Sequence, residues 1–119
     1  MPKKGPSKNI ARLNEDIKRE MIDIIAAMRD PRLQGGLLTV TRVDTTNDLT
    51  QTKVYISVMD RPGGAKEVLQ ALQAARGHVR SEIASRMHIR KAPQVLFIED
   101  DNAAYAAHIN ELLKDLKDE

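Results

Sequence analysis

Apolar side chains recur at Ile10, Leu13, Ile17, Met21, Ile24, Ile25 and Met28. Intervals of three and four sustained over that length predict one long amphipathic helix, not a strand. Ser7 stands where it can cap the start of the helix. Asp30-Pro31 is expected to stop it, because a residue before proline is pushed out of the α region. After Gly35-Gly36 the period changes. Leu37 to Val43 is rich in Leu, Thr and Val, and Thr52 to Met59 alternates Val54, Ile56 and Val58 with Lys53, Tyr55 and Ser57. Two half-buried strands are predicted, joined into an antiparallel hairpin by the turn chemistry of Thr45-Thr46-Asn47-Asp48.

Arg61-Pro62-Gly63-Gly64 reads as a loop, and Ala65 opens a helix carrying Val68, Leu69 and Leu72. Roughly helical spacing continues through Val79, Ile83 and Met87, but Gly77 interrupts it. Glycine is poor in a helix interior, so Gly77 is expected to mark a kink or a junction between two helices. Lys91-Ala92-Pro93 then turns the chain into a short strand, Gln94 to Glu99, whose Val95, Leu96, Phe97 and Ile98 should be largely buried. Burying that run requires the strand to join the hairpin's sheet. The expected fold class is α+β in the order α-β-β-α-kink-α-β, a three-stranded sheet with helices on one face. Tyr105, Ile109, Leu112, Leu113 and Leu116 predict an extra C-terminal helix. The expected organisation is a basic flexible tail at 1–7, a folded domain at 8–101 and an acidic amphipathic helix or tail at 102–119.

Composition adds a charge asymmetry. The 119 residues suit one domain, and their net charge is only +2. Residues 76–91, however, hold Arg76, Arg80, Arg86, Arg90 and Lys91 against Glu82 alone, a local +4, whereas residues 99–119 sum to −5. The chain has no cysteine, which excludes disulfides, thiolate metal sites and cysteine nucleophiles, and fits a cytosolic setting. The longest apolar run, Ile24 to Met28, is far too short to span a membrane, and the basic N-terminus has no apolar run behind it. A soluble cytoplasmic protein is expected.

No phosphate-cradling glycine motif and no nucleophile elbow occurs. His78, His88 and His108 lack the paired spacing of metal ligands, and Asp100-Asp101 after a strand suits a turn or helix cap better than a magnesium site. No enzyme activity, metal or cofactor is therefore expected. Nucleic-acid binding is better supported. Arg76, Arg80, Arg90 and Lys91 can meet phosphates, and the helix that begins after Gly77 offers free backbone N–H groups. His78, Arg86 and His88 share that basic stretch, while Arg12 and Arg19, seven apart on one side of the first helix, would extend the surface. Solubilising charges on an exposed helix are the alternative. With only Tyr55, Phe97 and Tyr105 as aromatics, a base-stacking platform is not expected. Recognition should be of shape and backbone in structured RNA.

Certain landmarks recur in order: Asp30-Pro31-Arg32-Leu33 closing the first helix, Asp48-Leu49 before Lys53-Val54-Tyr55, and Leu72-Gln73 through Ala75-Arg76-Gly77 to Val79-Arg80. Met87, Arg90, Pro93 and Phe97 to Asp100 continue them. In these the chain resembles the bacterial ribosome-binding factor A family over nearly its whole length. The resemblance implies a type II KH-like fold whose RNA-binding domain is residues 8–101, with an Ala-x-Gly kink (Ala75, Gly77) in place of the GxxG loop. It implies a monomeric assembly factor that binds the small (30S) ribosomal subunit and its 16S rRNA. It also implies a part in late maturation, 5′-end processing of the rRNA and growth in the cold, with assembly GTPases as candidate further partners. The contact surface it carries over is Gly77, His78, Arg80, Arg86 and Arg90. Thr52 departs from the alanine common in the family. Two other readings stay open: a protein-interaction module docking through the C-terminal helix, and a metal-dependent nuclease at Asp100 and Asp101.

Overall fold

The computed structural model describes residues 8–100. Helix α1 (Lys8–Ala27) leads into a single 3-10 turn (Pro31–Leu33), then strands β1 (Leu37–Thr45) and β2 (Gln51–Met59), helices α2 (Lys66–Ala74) and α3 (Arg76–Arg86), and strand β3 (Gln94–Glu99). The expected cap at Ser7, the tail at 1–7, Asp101 and the helix expected beyond it lie outside the described residues.

Helix α1 ends three residues before Asp30, earlier than the Asp-Pro stop predicted. Asp30 instead caps the 3-10 turn: one carboxylate oxygen accepts the Arg32 amide at 2.9 Å, and the guanidinium of Arg32 bonds both oxygens at 3.1 and 2.8 Å. Hydrogen bonds from the Arg32 side chain and amide hold the Asp30 carboxyl below its ordinary range.

The sheet order is β1-β2-β3, with β1 and β2 antiparallel and β2 and β3 parallel. A register shift between Val40 and Arg42 leaves Thr41 as a bulge, so the buried positions of β1 run Val40, Val43, Thr45 and do not alternate strictly. The Thr41 hydroxyl bonds the carboxylate of Asp100 at 2.5 Å and the Tyr55 carbonyl at 3.3 Å, tying the end of β3 to β1 across the central strand. Thr52 is buried with its hydroxyl 3.1 Å from that of Thr45. The Thr45 amide in turn donates to Asn14 of α1 at 2.9 Å.

One face of the sheet is covered by the helices. Ile17, Met21 and Ile24 of α1, Val68 and Leu72 of α2, and Val79 and Ile83 of α3 form a single buried cluster with Val54, Ile56 and Phe97. Arg61, in a stretch expected only to be a loop, proves to be a clamp. Its guanidinium, 11% exposed, donates to the carbonyls of Arg32 (3.0 Å) and Gln34 (3.3 Å) and reaches Glu67 at 3.5 Å. Beneath it Gly36 has φ +88°, and a Cβ there would come within 2.6 Å of the Met59 carbonyl oxygen and 2.7 Å of Arg61 Cβ.

Helix α3 is ended by a histidine. His88 has φ +55°, its amide bonds the Ser85 carbonyl (3.4 Å), and the Ile89 amide bonds that of Ala84 (3.1 Å), the paired bonds of a Schellman turn. Two stability measurements test these turns. Gly36→Ala should lose about 2–4 kcal/mol in denaturant unfolding, because left-handed strain and backbone overlap act together. His88→Gly should gain up to about 1 kcal/mol, since glycine accepts the same conformation without a Cβ penalty.

Candidate nucleic-acid interface

The break between α2 and α3 lies at Ala75, two residues before the glycine expected to make it. Ala75 has φ −94° and ψ 9°. Its amide bonds the carbonyls of Ala71 and Leu72, both at 3.1 Å, and its carbonyl accepts the Val79 amide at 2.9 Å. Gly77 sits inside the first turn of α3 with ordinary helical backbone, and a Cβ placed there would meet nothing within 4 Å. The glycine is therefore not needed to bend the chain. What it leaves is open backbone on an exposed first turn, where the amides of Arg76, Gly77 and His78 precede the first donor of the helix, the Val79 amide.

Cations gather round this turn. Arg80, half-buried, is held by a 3.0 Å bond from its Nε to the Ala92 carbonyl, which fixes the direction of its guanidinium. Arg76 lies exposed across the start of α3, its Nε on the Gln73 carbonyl at 3.0 Å. Arg90 and Lys91 are exposed in the loop entering β3. None of these four has an ion-pair partner among the described residues. Arg80 lines three adjoining hollows: about 180 Å³ with Arg76, Gly77, Gln94 and Val95; about 340 Å³ with Gly77, Arg90 and Lys91; and about 470 Å³ with Lys91 and the hairpin tip. The result is a basic cleft of hollows that share Arg80, with the open backbone of Gly77 in the lining of two of them.

The other predicted residues separate. Arg86 bonds Glu82 at 3.2 Å and Glu20 of α1 at 3.4 Å, so it joins α3 to α1 and is no free cation. Arg19 pairs with Asp16, while Arg12 and Arg19 share the exposed face of α1 and line none of the three hollows. His78 is exposed in the first turn of α3, and His88 serves as the left-handed terminator of that helix. Asp100, considered with Asp101 as a metal pair, instead accepts the Thr41 hydroxyl. Among the described residues no three His, Asp or Glu side chains cluster to hold a metal, and no helix is long and apolar enough to cross a membrane.

One element of the cleft was not anticipated as part of a site: the hairpin tip Asp48-Leu49-Thr50, which stands beside Arg80 and Lys91. The Gln94 amide bonds the Thr50 carbonyl at 2.9 Å and holds the tip against the start of β3. The turn Thr45-Thr46-Asn47-Asp48 and the Asp48-Leu49 landmark were visible in the sequence, but the neighbourhood of the tip was not, since it depends on contacts about thirty or more residues away.

The family profile described as ribosome-binding factor A matches residues 9–113. The chain belongs to the ribosome-binding factor A family. It is 39% identical over 110 residues to ribosome-binding factor A of Clostridium novyi, covering 92% of this chain and 90% of that protein. Its fold is similar to the crystal structure of ribosome-binding factor A from Thermus thermophilus, with a TM-score of 0.68 at 30% identity over 76% of this chain and 93% of that one. A homology model of the Thermus thermophilus protein, fitted into a cryo-EM map of a 30S complex, aligns with a TM-score of 0.63 at 31% identity, over 76% and 94% of the two chains. The family is by name one of binding factors, and its α+β order is the one derived above.

Since Gly77 is helical and unhindered, Gly77→Ala should fold normally. Thermal unfolding should show stability kept or raised, by up to about 1 kcal/mol from helix propensity. A clear loss would mean that the glycine serves the fold after all.

Proposed function

We propose that this chain is a non-enzymatic assembly factor that binds the small ribosomal subunit and contacts 16S rRNA through residues 8–101. The contact surface is the start of α3 with Arg76, Gly77, His78, Arg80, Arg90 and Lys91. The observation that carries this reading is the convergence of four cations without carboxylate partners on an exposed, glycine-opened helix start. Such a surface suits phosphates: guanidinium forks and backbone amides contact the same oxygens, and no side chain at position 77 keeps the strand away. The aligned Thermus thermophilus protein, which is described in a 30S complex, supports the choice of partner.

Binding of this kind assists maturation by selection. A factor that fits an immature rRNA arrangement better than the mature one raises the population of the former and leaves when it disappears. Support for late maturation, including processing of the rRNA 5′ end and growth in the cold, follows in this reading from the binding. The protein acts as a monomer in the cytoplasm.

Co-sedimentation with purified small and large subunits across a salt series tests the reading, with Arg90→Glu/Lys91→Glu as the variant. Both residues are exposed and without ion-pair partners among the described residues, so the fold should survive. Small subunits should be bound selectively, and binding should weaken as salt rises. The variant should bind far less and lose about two units of log–log salt slope. Equal binding to both subunits, or indifference of the variant, would place the site elsewhere.

A further inference from the structure

Leu49 is an anomaly that the fold does not need. It sits at the hairpin tip with φ +61°, in the left-handed region where glycine or asparagine is at ease and a branched side chain is strained. It is also 47% exposed, so its side chain adds little to the core. The loop around it is built to hold that conformation. The Leu49 amide bonds the Thr46 carbonyl at 2.9 Å, and one oxygen of Asp48 accepts the hydroxyls of Thr46 and Thr50, both at 2.7 Å, and the Thr50 amide at 3.2 Å. A rigid loop therefore presents an apolar side chain to the hollow of about 470 Å³ that Arg80 and Lys91 also line.

We propose that this hollow receives one unpaired nucleotide of the bound RNA, its phosphate on Arg80 and Lys91 and its base or ribose against Leu49. The inference rests on the RNA-binding reading above and deepens it. Three features favour a nucleotide. The hollow's volume lies in the range of small-ligand sites, roughly 300–1,000 Å³. The lining combines two cations with an aliphatic side chain, the two chemistries of a nucleotide, while its one carboxylate, Asp48, is engaged by the Thr46 and Thr50 hydroxyls; aliphatic wedges against bases are a known mode of contact. Arg80 is shared with the hollows at the start of α3, so a strand crossing the phosphate site is carried into this one. Gln94, in the same lining, offers an amide that can hydrogen-bond a base edge. The exposed bases of loops and bulges in structured RNA are the substrate class.

The test uses the full chain, purified small ribosomal subunits, and Leu49→Gly and Leu49→Asn, both of which suit the left-handed backbone. Thermal melts should show no loss of stability. Binding should weaken about tenfold, the scale of losing part of one leucine's burial, with an unchanged salt slope because no charge is removed. Chemical probing of base reactivity should show one or two unpaired nucleotides protected by the wild type and exposed with both variants. Wild-type affinity and an unchanged footprint in the variants would overturn the inference while leaving salt-dependent wild-type binding, and hence the broader reading, intact. Failure of the broader reading would appear in the wild type itself, as absent or salt-independent binding. A photoreactive leucine at position 49 that crosslinks to a ribosomal protein and not to rRNA would also overturn it.

Discussion

Because β3 runs parallel to β2, its first residue Gln94 lies opposite Gln51 at the hairpin tip, whereas an antiparallel strand would start beside Met59. A parallel pair needs a crossover long enough to carry the chain back along the sheet. Here α2 and α3 are that crossover. Both must lay their apolar positions, Val68 and Leu72 and then Val79 and Ile83, onto the same sheet face. A break at Ala75 lets each helix keep its own direction while the core stays continuous. The same return path brings Lys91 alongside residues 48–50. The cations of the basic cleft come from the single stretch 76–91, and strand pairing completes the cleft by setting the hairpin tip beside them.

Charge alone is a poor guide to which side chains face a partner. Arg86 and Arg61 look as available in sequence as Arg80 and Arg90, yet Arg86 is held between two carboxylates and Arg61 is clamped on two carbonyls. Arg42 lies over the Tyr55 ring, 4.1 Å from its centre, on the strands. Arg80 is the instructive case. Its Nε is satisfied by the Ala92 carbonyl, which immobilises the side chain without neutralising it. A fixed, unneutralised guanidinium loses less conformational entropy on meeting a phosphate than a free one would.

Strain is confined to a few positions. Among the described residues, left-handed non-glycine backbone occurs at Leu49 in the hairpin turn, at Asp60 just after β2 and at His88 just after α3. His88 is explained by the paired carbonyl bonds that finish α3. Leu49 has no such need, and its leucine is the less stable choice for the turn it occupies.

What the sequence by itself determined was the identity and order of the elements. Spacing at Ile10 to Met28, alternation from Thr52 to Met59 and the apolar run from Val95 to Ile98 are local properties, imposed by the 3.6- and 2-residue periods on any chain that buries one face. The basic stretch from Arg76 to Lys91 and the family landmarks were legible for the same reason. The tertiary structure decided where those residues meet. It put the helix break at Ala75, the alanine of the Ala-x-Gly kink, and left Gly77 inside α3, because the turn is set by packing on the sheet and not by glycine's freedom. It put a bulge at Thr41, withdrew Arg86 into a helix–helix ion pair, and set Leu49 beside Arg80. Each of these is settled by packing and strand pairing, and periodicity carries no information about distant partners: the register of β1 on β2, the packing of α3 on α1 and the pairing of β2 with β3 bring them together.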